Sequence, residues 1–151
     1  MVLARGDTRP GPSTENLVNQ AERRDIELDC ARLINVYASL NDQGRWDDVV
    51  ALFAPDGLMT RPTAPEDAII GHDALIAAFR SRPPRTTQHF CANIVVTAET
   101  SNTASATSAI LLFVDPAKPP LVGTYRDRFV RIDGIWLFSE RRGALSFQAL
   151  S

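Results

Sequence analysis

From Ala21 onward, Ile26, Cys30, Leu33, Tyr37 and Leu40 recur at spacings of 4, 3, 4 and 3, which lays an apolar stripe along one side of a long helix. Gly44 supplies a stop. Trp46, Val49, Val50 and Phe53 fall at i, i+3, i+4 and i+7 and predict a second, shorter helix packed on the first, ended by a turn at Pro55-Asp56-Gly57. Leu58–Arg61 reads as a short strand and Pro62–Asp67 as a polar loop, followed by the apolar pair Ile69-Ile70 before Gly71. Leu75, Ile76 and Phe79 mark a third helix, which Pro83-Pro84 closes.

After Thr86 the texture changes. Thr86–Ala98, Thr103–Asp115, Leu121–Ile132 and Ile135–Phe147 are β-branched or aromatic segments separated by turn residues, and Asp133-Gly134 is a two-residue hairpin signal. They predict four sequential antiparallel strands. Helices first and a meander afterwards predict an α+β fold, with three helices over the concave face of a curved antiparallel sheet. Where helices close only part of such a sheet, the open mouth forms a concave, mostly apolar pocket suited to a small molecule. Residues 1–20, with Gly6, Pro10, Gly11 and Pro12, show neither period and are expected to be a flexible tail ahead of one domain over 21–151.

Composition narrows the function. A chain of 151 residues, 44% hydrophobic and 23% charged, suits a single globular domain. Sixteen Lys+Arg against 18 Asp+Glu leave a net charge of −2, which supplies no field for a polyanion, so nucleic-acid binding is disfavoured. The longest apolar run, Ala109–Val114, is far too short for a membrane-spanning helix. Two cysteines, Cys30 and Cys91, without a secretory leader pattern lead us to expect a reduced, cytoplasmic protein. Neither spaced Cys/His clusters nor a glycine-rich phosphate loop is present, so no metal and no cofactor are expected.

Alternation along the strand from Thr86 puts Thr87, His89, Cys91 and Asn93 on one face. An imidazole titrates near neutral pH, so His89 suits proton transfer; the plainer alternative is a partly buried histidine bonded to backbone. Tyr125, Asp127 and Phe129 share a face of their strand. Asp127 is either a desolvated carboxyl with a raised pKa or one half of a salt bridge with Arg126, Arg128 or an arginine of the next strand. Cys91 reads as a wall residue, His72 as an exposed residue at a helix start, Trp46 and Trp136 as core, and Arg141-Arg142 as solvent-facing.

Several strings together resemble the SnoaL-like family of the NTF2-like superfamily: Val36-Tyr37, Asn41-Asp42-Gln43-Gly44-Arg45-Trp46-Asp47, Phe53-Ala54-Pro55-Asp56, Thr87-Gln88-His89-Phe90 and Arg131-Ile132-Asp133-Gly134-Ile135-Trp136. Within it the scytalone dehydratase group is similar in Thr-Gln-His-Phe and in an Asp four residues before Trp46. The hexachlorocyclohexane dehydrochlorinase group is similar in His89-Phe90-Cys91-Ala92-Asn93. The resemblance spans residues 22–147 and implies a cone-shaped fold, a catalytic His89 oriented by Asp42, and a substrate-binding set of Tyr37, Trp46, Asn93, Tyr125, Asp127 and Phe129. It implies a cofactor-independent lyase or isomerase, dehydratase-like, acting on a small hydrophobic cyclic substrate, in a homo-oligomer, dimer or trimer, paired through the outer sheet face. Two alternatives stay open: a non-catalytic small-molecule-binding or accessory protein, and a polyketide cyclase-like enzyme relying on Asp127.

Departures from the dehydratase group fall at Val114 or a neighbouring apolar residue, in place of a second histidine, near Arg61, in place of a tyrosine, and at Tyr125, in place of an asparagine. They favour a one-base elimination or isomerisation on a different substrate. Asp42 itself needs explaining, because a negative charge in the last helical turn opposes the macrodipole by about 0.3–1 kcal/mol. It also lies away from the apolar stripe, so pairing with His89 requires the helix to end or distort by about Asn41, and such pairing is expected to raise the imidazole pKa.

Overall fold

Asn19 sets the first element. Its side chain accepts the Glu22 N–H at 2.9 Å and caps α1 (Gln20–Asp42), in a computed structural model that describes residues 18–147. The expected tail therefore lies outside the described residues as far as position 17. The buried line of α1 is Ile26, Cys30, Ile34, Tyr37, Ala38 and Asn41, with Leu33 and Leu40 at its margin. One residue of difference, Ile34 for Leu33, rotates the face by about 100° at that turn.

α2 (Trp46–Ala51) is shorter than its pattern, because Phe53 leaves the helix to begin β1 (Phe53–Arg61) and packs on Phe138 with ring centroids 5.3 Å apart. Pro55-Asp56-Gly57 is not a turn. These residues sit inside β1 where its ladder with β6 is interrupted between Phe53 and Leu58, a place where the missing proline N–H is tolerated. The expected loop Pro62–Asp67 is a tight turn followed by β2 (Ala64–Ile70), a mostly exposed edge strand with no apolar alternation for periodicity to register. α3 (His72–Arg80) follows Gly71, whose φ of 85° suits glycine. β3 (Gln88–Thr100), β4 (Thr103–Phe113), β5 (Leu121–Ile132) and β6 (Ile135–Leu145) form the expected meander. Asp133 and Gly134, at φ 49° and 79°, supply the two positive-φ residues of its last turn.

The six strands lie in the order β2-β1-β6-β5-β4-β3 in one curved, unclosed sheet. The expectation of an all-antiparallel sheet is corrected at one seam, where β1 runs parallel to β6. A parallel pair needs a long connection, and the chain between β1 and β6, with α3 and the meander in it, supplies one. α1 packs across β3, β4 and β6, while α2 and α3 cover the β1 side. No helix among the described residues is long and apolar enough to cross a membrane.

Gly143 on β6 fixes how the β1–β2 turn sits. A Cβ there would lie 2.7 Å from Pro62 ring carbons and 2.8 Å from its nitrogen, so only glycine admits the turn this close. Gly143→Ala is predicted to overpack this contact and to cost about 1–3 kcal/mol, seen as a lowered Tm with an unchanged circular dichroism spectrum at 25 °C.

Candidate active site

α1 ends at Asp42 and the chain turns sharply: Gly44 takes φ 66° and the Arg45 N–H returns to the Leu40 carbonyl at 3.0 Å. The start of β3 passes this end. Asp42 Oδ1 accepts the Thr87 hydroxyl at 2.9 Å and His89 Nδ1–H at 2.5 Å, while Oδ2 accepts the His89 backbone N–H at 2.8 Å. Gln88 Nε2 adds a longer contact of 3.4 Å. The helix stays regular through Asp42, one residue beyond the point the stripe arithmetic required, and the start of β3 reaches the carboxylate at the helix terminus. Charge-assisted donors offset the unfavourable dipole at this position.

The side chains of His89 and Asp42 are 7% and 14% exposed. With Nδ1–H given to the carboxylate, Nε2 keeps its lone pair. Burial pushes the imidazole pKa below its ordinary 6.5; the hydrogen bond and charge of Asp42 pull it up, and Arg141 and Arg82 push it down. The net direction is downward, which corrects the expected rise: desolvation of the imidazolium outweighs the single carboxylate. A pKa below 6.5 favours the uncharged imidazole at pH 7.

Both residues border a cavity of about 700 Å³, within the size range of small-molecule pockets. Its apolar wall includes Met59, Ile110, Leu112, Val114 and Leu121, and Tyr37, Trp46 and Tyr125 also line it. Trp46 stacks on Phe79 at 5.5 Å. Three residues expected in the lining are elsewhere. Asn93 is exposed at φ 51°, in a bulge between Ala92 and Val95 that breaks the strand alternation after Cys91. Phe129 is core, 5.2 Å from the Phe138 ring, and Asp127 is buried in an ion pair away from the cavity. His72 is not a free surface residue either, since its Nε2–H donates to the Phe53 carbonyl at 2.8 Å. Cys91 is half-buried with its thiol pKa raised by burial, as suits a wall.

Sequence reasoning missed Asn41 and Arg82 at the cavity border, where Arg82 Nη1 donates to Asn41 Oδ1 at 3.1 Å. The available signal was the dense run Arg80-Ser81-Arg82-Pro83-Pro84-Arg85 just before β3. Thr87 was placed on the His89 face, but its bond to Asp42 was not foreseen.

A family model described as a SnoaL-like domain matches residues 22–142, most of the chain. The chain belongs to the SnoaL-like family. Solved structures agree on the fold. A candidate scytalone dehydratase from Novosphingobium aromaticivorans superposes with a TM-score of 0.73 at 23% identity, covering 85% of this chain and 89% of that one. An NTF2-like protein with a cystatin-like fold from the same species gives 0.72 at 23%, covering 91% and 95%. A hexachlorocyclohexane dehydrochlorinase from Novosphingobium barchaimii gives 0.74 at 13%, covering 85% and 92%. No curated protein matches the chain.

Under the aromatic wall of this SnoaL-like domain lies a second charged layer. Arg141, expected to face solvent, is fully buried and donates from Nη1 to Asp127 Oδ2 at 2.7 Å, its cross-strand partner on β5. Its guanidinium carbon is 3.7 Å from the Tyr125 ring centroid and 4.3 Å from that of Tyr37. Burial pushes the Asp127 carboxyl up to about 6, although Arg141 pulls it down. The salt-bridge alternative for Asp127 therefore describes its geometry. Arg141→Met alone is predicted to strand a buried carboxylate and cost about 3–5 kcal/mol, whereas Arg141→Met with Asp127→Leu regains most of it; urea unfolding of the two variants reads the difference.

Proposed function

We propose that this protein is a cofactor-independent lyase or isomerase, dehydratase-like, acting on a small hydrophobic cyclic molecule. The observation that carries the reading is the imidazole of His89, bonded through Nδ1 to Asp42, at the wall of a cavity of about 700 Å³. The fold it shares with a candidate scytalone dehydratase and a dehydrochlorinase supports the reaction class. In this reading His89 Nε2 takes a proton from a substrate carbon. The C–H electron pair becomes a carbon–carbon double bond as the neighbouring hydroxyl departs, or shifts an existing double bond. Asp42 keeps the ring in one tautomer and stabilises the imidazolium, which then hands its proton to the departing oxygen or to a second carbon. Tyr37, Trp46 and Tyr125 position the ring of the substrate. A cyclase reading built on Asp127 loses support, because that carboxyl is buried against Arg141 and outside the cavity lining.

A panel of cyclic hydroxy-ketones and halides tests for turnover. His89→Gln is predicted to lower kcat/KM by about 10²–10⁴-fold, and full retention of turnover overturns the reading. Because the base form is the active one, kcat/KM falls as pH drops through an imidazole pKa below 6.5. Asp42→Asn removes the charge that raises that pKa, so NMR titration of His89 is predicted to give a still lower value in this variant.

We also propose a homo-oligomer joined through the convex sheet face, where Phe90 and Phe113 stack edge-to-face at 6.0 Å and remain exposed together with Val95. Sedimentation is predicted to give a dimer or trimer of the 16.6 kDa chain, and Phe90→Asp to shift it towards monomer.

A further inference from the structure

The border of the cavity is unbalanced in charge. Arg61 comes to it from the end of β1, and Arg82 and Arg85 from the segment joining α3 to β3. Arg80 also borders it but is held by Asp47 at 2.8 Å. Among the described residues no carboxylate stands within ion-pair distance of Arg61, Arg82 or Arg85, and the one carboxylate in the lining, Asp42, is occupied by Thr87 and His89. In a chain of net charge −2 this is a local concentration of cations in the cavity lining.

Two of these arginines are arranged as donors awaiting an acceptor. Arg82 is fixed by its bond to the buried Asn41, and its guanidinium carbon lies 4.4 Å from the Phe79 ring centroid and 5.7 Å from that of Trp46. That hold uses one nitrogen and leaves the rest of the planar fork without a hydrogen bond among the described residues. Arg61 Nε–H is buried and has no acceptor among the described residues. A buried donor of a charged group left unpaired is costly, so an acceptor from outside the described chain fits there. Burial keeps the Arg82 pKa below its usual value; Tyr37 and Tyr125 pull it up, and the like charges of Arg61 and Arg85 push it down by smaller amounts. A single anion between them relieves both the repulsion and the unpaired donor.

We propose that the substrate carries an ionised carboxylate, bound by Arg82 and Arg61 at the cavity border, while its apolar body lies along Ile110, Leu112 and Val114 with the reacting C–H towards His89. The substrate class is thus small hydrophobic organic acids. This rests on the proton-transfer reading for its orientation, but its test is a binding measurement that needs no turnover, so the two can fail separately.

The test uses the full chain and two probes of equal shape, 2-naphthoate and the neutral 2-naphthamide, by calorimetry at low salt. Wild type is predicted to bind the acid at least about tenfold more tightly than the amide, a preference of the size that a charge-assisted pair supplies. Arg82→Gln and Arg61→Gln each reduce acid binding by about tenfold and leave amide binding unchanged, whereas Arg82→Lys keeps part of the preference because the charge remains. Added salt weakens the acid and not the amide. Amide binding also shows that each variant is folded. Equal binding of acid and amide by wild type, or a preference that survives Arg61→Gln combined with Arg82→Gln, overturns the proposal, whatever His89→Gln does to turnover.

Discussion

One carboxylate ties the opening helix to the strand that carries the imidazole. Asp42 accepts three good hydrogen bonds, from the Thr87 hydroxyl, the His89 main-chain N–H and the His89 ring, across 45–47 residues of sequence. The main-chain bond positions the strand and the ring bond positions the imidazole, so the same group sets both the fold locally and the site. Charge-assisted bonds in a largely desolvated setting are stronger than their neutral counterparts, which suits a contact that closes so long a loop. Any displacement of the end of α1 is carried directly to the imidazole.

A second constraint works from below. Arg141 is a full positive charge with no exposure, held by Asp127 and covered by Tyr37, Tyr125 and Phe138. The rings keep the cation out of the cavity lining while its field still reaches His89 and disfavours the imidazolium. Asp42 and Arg141 thus act on His89 in opposite senses, and burial settles the balance towards the neutral ring. The aromatic residues that line the cavity are also the covering layer of this pair.

The sequence carried the helix stripe, the four long strands, the Asp133-Gly134 turn and the His89–Asp42 juxtaposition, because each rests on a short-range rule or a recognisable string. What it did not carry has a physical cause in each case. β2 is polar and lies at the sheet edge, so it has no apolar face to leave a period. The parallel seam between β1 and β6 depends on tertiary return of the chain and not on residues near either strand. Arg141 reads as solvent-facing until its cross-strand partner is known, and Arg82 is drawn inward by Asn41, a contact over 41 residues. Strand parity gives Asp127 and Phe129 a shared face and the family resemblance turns that face inward, which places residues on the concave side without saying whether helix or open space lies above them.

The kink at Ala92–Asn93 divides β3 into two stretches with independent phase. Upstream, His89 and Cys91 look inward; downstream, Ile94, Val96 and Ala98 take over that duty on even numbers. The extra residue acts as a gearing step: it lets the apolar end of the strand keep its grip on the helix layer whatever parity the reactive end requires. A chain of this design can trade residues on either side of the step without turning the other side over.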